Sequence, residues 1–400
     1  MPRSRALRYT FFALLYFTQG MILSYFTALN ALYILSRGLT MTSVGIFSAI
    51  ALVPFVIKIF LGMLSDRVNL FGMGYRKPYI LLGLAVQFAC LLVVPWIDPK
   101  TQFWGFVALA FTLQMGMALY DTCTDGLALD TTPTEEQGTL QGFMVGGRAV
   151  GVIVTAAAVG LLAEKASWTA VFWALAALTL LPLPLVLGLR EAPRPAARRF
   201  TWGAFHAFRR REVWLVAVVG LVSFLVIVGA NQLINPFVQK TLGISLSTAG
   251  LLTTLWGAGV TAGGLAGGRL MDRLSLRAIP LAMGLATAAL LLLAFGVVPT
   301  AALALVFALV AFFGLAYGFY QAAYFALAMR FTEAGIAASM FAILMAFTNV
   351  GQGIGLGLGG VLVDRLGYPL TFVLFAAANL FVWPLMARLN RVVTPAVSRG

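Results

Sequence analysis

Twelve runs of mainly apolar residues divide this 400-residue chain. They fall at about 9–34, 42–64, 78–97, 102–129, 138–163, 168–189, 213–238, 246–268, 279–297, 301–329, 335–362 and 369–387. About 20 apolar residues in helical form cross a hydrocarbon layer of roughly 30 Å. Inside that layer each helix must satisfy its own backbone amides. These two facts predict an all-α integral membrane protein with twelve transmembrane helices. A hydrophobic share of 61%, 41 glycines and a mean hydropathy of +0.96 agree, because a soluble core cannot hide that much apolar surface.

The net charge of +14 would suggest nucleic acid in a soluble chain. Its distribution points elsewhere. With a cytoplasmic N-terminus, the cytoplasmic segments carry twenty of the 27 Lys and Arg side chains and the outer loops carry five: Arg37, Lys100, Lys165, Lys240 and Arg365. That bias is the positive-inside pattern, so both termini are expected in the cytoplasm, the basic loops on its anionic leaflet, and no nucleic-acid partner. Arg3, Arg5 and Arg8 precede a run too long for a signal peptide and read as the flank of a first span. Cys90 and Cys123 both lie in apolar runs and are expected as free thiols. No catalytic triad, metal cluster or cofactor motif stands out. The glycine-rich GLGLGG at Gly355 to Gly360 lacks a preceding strand and a following lysine, so it reads as close helix packing.

The chain repeats itself. Near residue 62 it reads GMLSDR, and 206 positions later GRLMDR, pairing Gly62 with Gly268, Asp66 with Asp272 and Arg67 with Arg273. At an offset of 200, Tyr120 meets Tyr320, Gly151 meets Gly351, Glu164 meets Asp364 and Pro184 meets Pro384. Matched charges, glycines and prolines in one register predict two six-helix halves, 1–189 and 212–400, with a site between parallel repeats. The arginine-rich link 190–211 is a cytoplasmic linker. Trp202, Phe205 and Phe208 recur every third residue there, as in a short helix lying on the leaflet; a solvated linker is the alternative. His206, the only histidine, lies in this link and outside every span.

GMLSDRVNLFGMGYRKP, Gly62 to Pro78, resembles the cytoplasmic signature of the major facilitator superfamily. Gly62 lets backbones approach, Asp66 can pair with arginine near a helix terminus, and Arg67, Arg76 and Lys77 meet the anionic leaflet. The resemblance implies the major facilitator fold and a gating latch at Gly62, Asp66, Arg67, Arg76 and Lys77, with a weaker copy at Asp272 and Arg273. PFVIKIFLGMLSDR and DTCTDGLALDTTPTEEQG followed by GGRAVG are similar to the group of muropeptide permeases, folate–biopterin transporters and acetyl-CoA transporters.

Lys58, Asp121, Asp125 and Arg148 lie inside apolar runs, where an ionisable side chain is costly. Asp121 and Asp125 share a helical face. At about 1.5 Å per residue, Asp121 lies roughly 12 Å from the end of its run, Arg148 about 15 Å and Lys58 about 9 Å. Groups at such similar depth can neutralise one another. They read either as a fixed network holding helices in register or as a proton-coupling site in which a carboxylate alternates between a cation and a proton, with Asp121 the preferred carrier. A basic residue left free could instead hold an anionic group of the solute.

The second half lacks these charges: Gln321 stands where Asp121 does, and Thr348 where Arg148 does. It offers neutral groups, Asn231, Gln232, Asn235, Asn349 and Gln352, and a stripe of Tyr317, Tyr320, Gln321 and Tyr324 at helical spacing. Gln19, Tyr25 and Asn30 in the first run are similar candidates for substrate contacts. Packing between helices is the alternative for each. The expected function is therefore a secondary transporter, not an enzyme, that moves a small organic solute by alternating access. Proton-coupled uptake, no cofactor and a monomeric working unit complete the expectation. An exporter, an uncoupled facilitator, or a receptor or assembly factor retaining the fold stands as the alternative.

Overall fold

The structure, a computed structural model, describes residues 5–132, 137–189, 191, 206, 209–274, 278–331, 337–386 and 388. Its helices are α1 (Arg5–Ala28), α2 (Asn30–Ser36), α3 (Met41–Val56), α4 (Lys58–Arg67), α5 (Lys77–Val93), α6 (Phe103–Thr131), α7 (Gln137–Lys165) and α8 (Trp168–Thr179). There follow α9 (Leu183–Leu187), α10 (Arg211–Leu242), α11 (Leu246–Leu274), α12 (Ala278–Gly296), α13 (Leu303–Arg330), α14 (Ala337–Leu366) and α15 (Tyr368–Leu380). No strand occurs among the described residues. Twelve helical segments are long and apolar enough to cross a membrane, as the twelve sequence runs predict.

Four of the twelve runs are broken rather than continuous, the last of them at Phe381 just after α15. The first breaks at Leu29, between α1 and α2. The second breaks at Ile57, three residues after Pro54, which has no N–H to donate to the preceding turn. There the Phe60 N–H bonds the Ile57 carbonyl at 2.9 Å, a tightened turn that makes Lys58 the first residue of α4. The sixth breaks at residues 180–182, just before Leu183 and Pro184 open α9. Of the linker 190–211, only Glu191, His206, Arg209, Arg210 and Arg211 are described, so the surface-helix reading lies outside the described residues. The same holds for the Pro133 to Glu136 turn.

The chain forms two compact units. The first comprises Met1–Leu39, Ile50–Phe200 and Ser245–Thr254; the second comprises Thr40–Ala49, Thr201–Ile244 and Leu255–Gly400. In the first unit α1 packs on α7 and α5 packs on α6 and α8; in the second, α10 packs on α14 and α12 packs on α13 and α15. The pairings repeat, as the sequence offset does.

Small residues set the tightest of these seams. A side chain at Gly147 or Gly151 would collide with the Ala13 or Phe17 carbonyl of α1, and one at Gly20 with the Arg148 carbonyl of α7. In the second unit, Gly351 and Gly355 meet the Leu221 and Leu225 carbonyls of α10 in the same way. The glycine-rich stretch of α14 is thus a packing surface. Hydrocarbon gives helices no hydrophobic reason to associate, so close backbone approach supplies the attraction through dispersion.

The two short exchanged segments are held by matched carboxylates. Within the second unit, Asp364 near the end of α14 accepts the Met41 N–H at 3.1 Å and the Thr42 N–H at 2.6 Å. Within the first, Glu164 near the end of α7 accepts the Ser247 N–H at 2.9 Å. Each carboxylate neutralises the unsatisfied donors at a helix start.

Gly151→Leu is expected to destabilise the first unit by about 1–3 kcal/mol, the usual cost of overpacking. Gly146→Ala, where an added carbon meets nothing within 4 Å, should be neutral. Melting temperatures of the detergent-purified variants check both; equal values for Gly151→Leu and the parent would contradict the seam.

Candidate functional site

The intramembrane charges gather on three helices of the first unit, α4, α6 and α7, and a phenol of α1 joins them. The break at Ile57 puts Lys58 at the start of α4, where its Nζ lies 3.3 Å from Asp121 Oδ2 on α6. The Asp121 side chain is 8% exposed and that of Lys58 33%, so the ion pair is covered on one side only. One turn along α6, Asp125 accepts a hydrogen bond from the Tyr16 hydroxyl of α1. Arg148 of α7 is near enough to act electrostatically on Tyr16, Lys58 and Asp125. Arg148 is exposed and makes no hydrogen bond or ion pair among the described residues. Of the four charges predicted at similar depth, Lys58 and Asp121 form an ion pair, Asp125 accepts a phenol hydrogen bond, and Arg148 is the unengaged cation.

Tyr16 is the member that sequence reasoning missed. It stands three residues before Gln19, on the same face of α1, and nothing in a single sequence says which helix that face meets. A buried charge pair survives in low dielectric only when the remaining lone pairs are also bonded. The Tyr16 hydroxyl meets that need for Asp125.

The loop before α5 is tied at several points. Arg76 Nε bonds Asp130 Oδ2 at 3.1 Å and its Nη1 bonds Ser65 Oγ at 2.6 Å, with the guanidinium against Gly126. Glu191 accepts the N–H groups of Tyr75 (2.8 Å), Arg76 (2.9 Å) and Lys77. Lys77 Nζ in return donates to the Leu187 and Leu189 carbonyls at 2.6 and 3.0 Å. Each charge thus caps the other's helix end. Gly62 faces the Thr122 methyl, where an added carbon would stand 3.2 Å away. The side chains of Asp66, Arg67 and Asp272 lie outside the described residues, and Arg273 is exposed. Asp130, Ser65 and Glu191 are the partners the sequence reading did not name.

The neutral candidates divide. Tyr320 is 1% exposed; its hydroxyl donates to Asn379 Oδ1 at 3.0 Å and sits 2.7 Å from that of Ser223, while Asn379 bonds the Met283 carbonyl at 3.0 Å. Tyr324, also 1% exposed, donates to the Val216 carbonyl at 3.4 Å. Both phenols hold helices of the second unit together, and only Tyr317 and Gln321 of the stripe are partly exposed. Tyr317 packs edge-on against Trp256. Gln232 Nε2 donates to the Leu356 carbonyl at 3.1 Å, and Gln352 to Asn349 Oδ1 at 3.0 Å. Asn231 is half-buried and Asn235 buried. Thr348, in the Arg148 position, is buried and bonds its own helix at the Met345 carbonyl. In the first unit, Gln19 Nε2, Tyr25 Oη and Asn30 Oδ1 are buried without a hydrogen-bond partner.

The sequence matches the profile of the Major Facilitator Superfamily over residues 11–341 and 216–399. It is 26% identical over 299 residues to the anhydromuropeptide permease of Escherichia coli K12, covering 72% of this chain and 59% of the permease. It is 30% identical over 202 residues to the folate-biopterin transporter of Synechocystis sp., covering 48% of this chain and 40% of that protein. The chain thus spans about three fifths of the permease and less of the folate-biopterin transporter. Its fold is similar to the crystal structure of a bacterial homolog of the human lysosomal transporter Spinster, inward-facing and unoccupied, with a TM-score of 0.80 and 17% identity over 98% of each chain. Twelve apolar helices, the six-helix repeat and this profile lead to one conclusion: the chain is a multi-pass integral membrane protein that belongs to the major facilitator superfamily.

Proposed function

We propose that the chain is a secondary active transporter that takes up a small organic solute together with protons by alternating access. The superfamily and the named relatives support transport as the activity. The Lys58–Asp121 pair, at 3.3 Å and covered on one side only, is the observation that carries the coupling. A carboxylate that loses its cation in a low-dielectric site takes a proton in its place. A movement of α4 relative to α6 therefore exchanges Lys58 for a proton on Asp121, and the reverse movement expels it. Asp125, bonded to Tyr16, is the second carboxylate in the same field. The loop joining Arg76 to Asp130 and Lys77 to the end of α9 braces one access state, with the arginine-rich ends toward the cytoplasm. An anhydromuropeptide, a folate and a biopterin are the first solutes to try, because relatives are named for them.

In proteoliposomes, Asp121→Asn should abolish accumulation driven by a pH gradient while leaving solute counterflow intact. Full accumulation by that variant would remove Asp121 from the coupling step. Tyr16→Phe keeps the ring and deletes the donor to Asp125. Loss of one such hydrogen bond, worth roughly 1 kcal/mol, should slow proton-driven uptake about fivefold. Initial uptake rates measured across external pH check it, and a rate and profile equal to the parent's would contradict a coupling role for Tyr16.

A further inference from the structure

We infer that the transported solute carries an anionic group, carboxylate or phosphate, that docks on the Arg148 guanidinium. The inference rests on the transport reading and adds the solute's charge to it. Arg148 lies on the inward face of α7. Met144 and Val152, four residues before and after it, are 0% and 6% exposed, and Thr155, seven residues on, is 5% exposed. The opposite face carries Phe143, Val150, Val154 and Leu161, all exposed apolar side chains suited to lipid. Arg148 is thus exposed on the side of α7 opposite that apolar stripe, beside the buried Met144, Val152 and Thr155.

That side chain is also the one charge of the cluster left unengaged. Lys58 holds Asp121 and Tyr16 holds Asp125, while Arg148 acts on Tyr16, Lys58 and Asp125 through its charge, with no hydrogen bond or ion pair to any of them. The fold does not demand a cation there, since Thr348 fills the matching place in the second unit and bonds its own helix. Charge balance gives the cation its use. With both aspartates ionised, the two cations neutralise them; one proton on an aspartate leaves one positive charge in excess. An anion on Arg148 restores neutrality, so proton and anion can occupy the site together without an uncompensated charge. Arginine's planar donor fork suits carboxylate and phosphate alike. Gln19, whose Nε2 is buried without a partner, stands at the same level of α1, since its neighbour Gly20 packs on the Arg148 carbonyl.

The test uses full-length protein in detergent at equilibrium, with no gradient. Three matched pairs serve as probes: N-acetylmuramic acid with N-acetylglucosamine, N-acetylneuraminic acid with its methyl ester, and glucose 6-phosphate with glucose. The parent is expected to bind at least one anion and to bind its neutral partner far more weakly. The anion that binds shows whether the group is a carboxylate or a phosphate. Arg148→Gln should weaken that binding roughly tenfold to a hundredfold, the loss expected for a charged hydrogen-bonded pair, and Arg148→Lys should recover part of it. Labelling of Arg148 by phenylglyoxal, read by mass spectrometry, should fall when the anion is present. Equal affinity in Arg148→Gln, preference for the neutral partners, no binding by any anion, or an unlabelled Arg148 in the parent each overturns the inference. The outcomes separate it from the coupling proposal. Arg148-dependent binding with gradient-independent uptake sinks only the coupling, and gradient-driven uptake with Arg148-independent binding sinks only the anion site.

Discussion

Hydrocarbon offers no hydrogen bonds, and every feature of this chain follows from that constraint. Backbone groups are satisfied inside helices, so the spans are helices. Helices surrounded by apolar lipid gain little by hiding apolar side chains from it, so they associate where glycine lets backbones touch. That is why the α1–α7 and α10–α14 seams carry Gly20, Gly147, Gly151, Gly351 and Gly355 against carbonyl oxygens. Charge obeys the same rule from the other side: Lys58 and Asp121 are tolerated because they meet, and Asp125 because Tyr16 meets it.

Much of this was legible in the sequence. Run length gave the spans, and the offsets of 200 and 206 gave a repeat that returns as matched helix pairings. The breaks were less legible. Pro54 was visible, but a proline does not always interrupt a helix: α10 runs unbroken through Pro236. Position on a face was legible for Asp121 and Asp125, because one helix fixes it. Contacts across helices were not. Tyr16 with Asp125, Asp130 with Arg76 and Glu191 with the start of α5 each join residues more than fifty positions apart. Tyr320 and Tyr324 show the converse, since a helical stripe says that residues share a face without saying whether it meets a cavity or a neighbouring helix.

The two units differ in how they use polarity. In the second, phenols and amides close on one another: Tyr320 on Asn379, Asn379 on Met283, Tyr324 on Val216. The first retains charge and leaves part of it exposed, and each unit keeps buried polar atoms without a hydrogen bond, such as Gln19 Nε2, Tyr25 Oη and Asn30 Oδ1 in the first and Gln232 Oε1 and Trp256 Nε1 in the second. A network satisfied throughout fixes its helices. An incompletely satisfied one keeps alternatives open, and there a solute or a proton can change the balance.

The glycine seams also limit what the sequence can become. At Gly151 and Gly355 no side chain can be added without prising two helices apart, whereas an added carbon at Gly146 or Gly284 meets nothing within 4 Å. Drift within the superfamily should therefore run along exposed apolar positions such as Val150 and Val154 while the seams stay small. The same partition tells an engineer where a fluorophore, a cross-linker or a stabilising mutation can be placed without disturbing the packing.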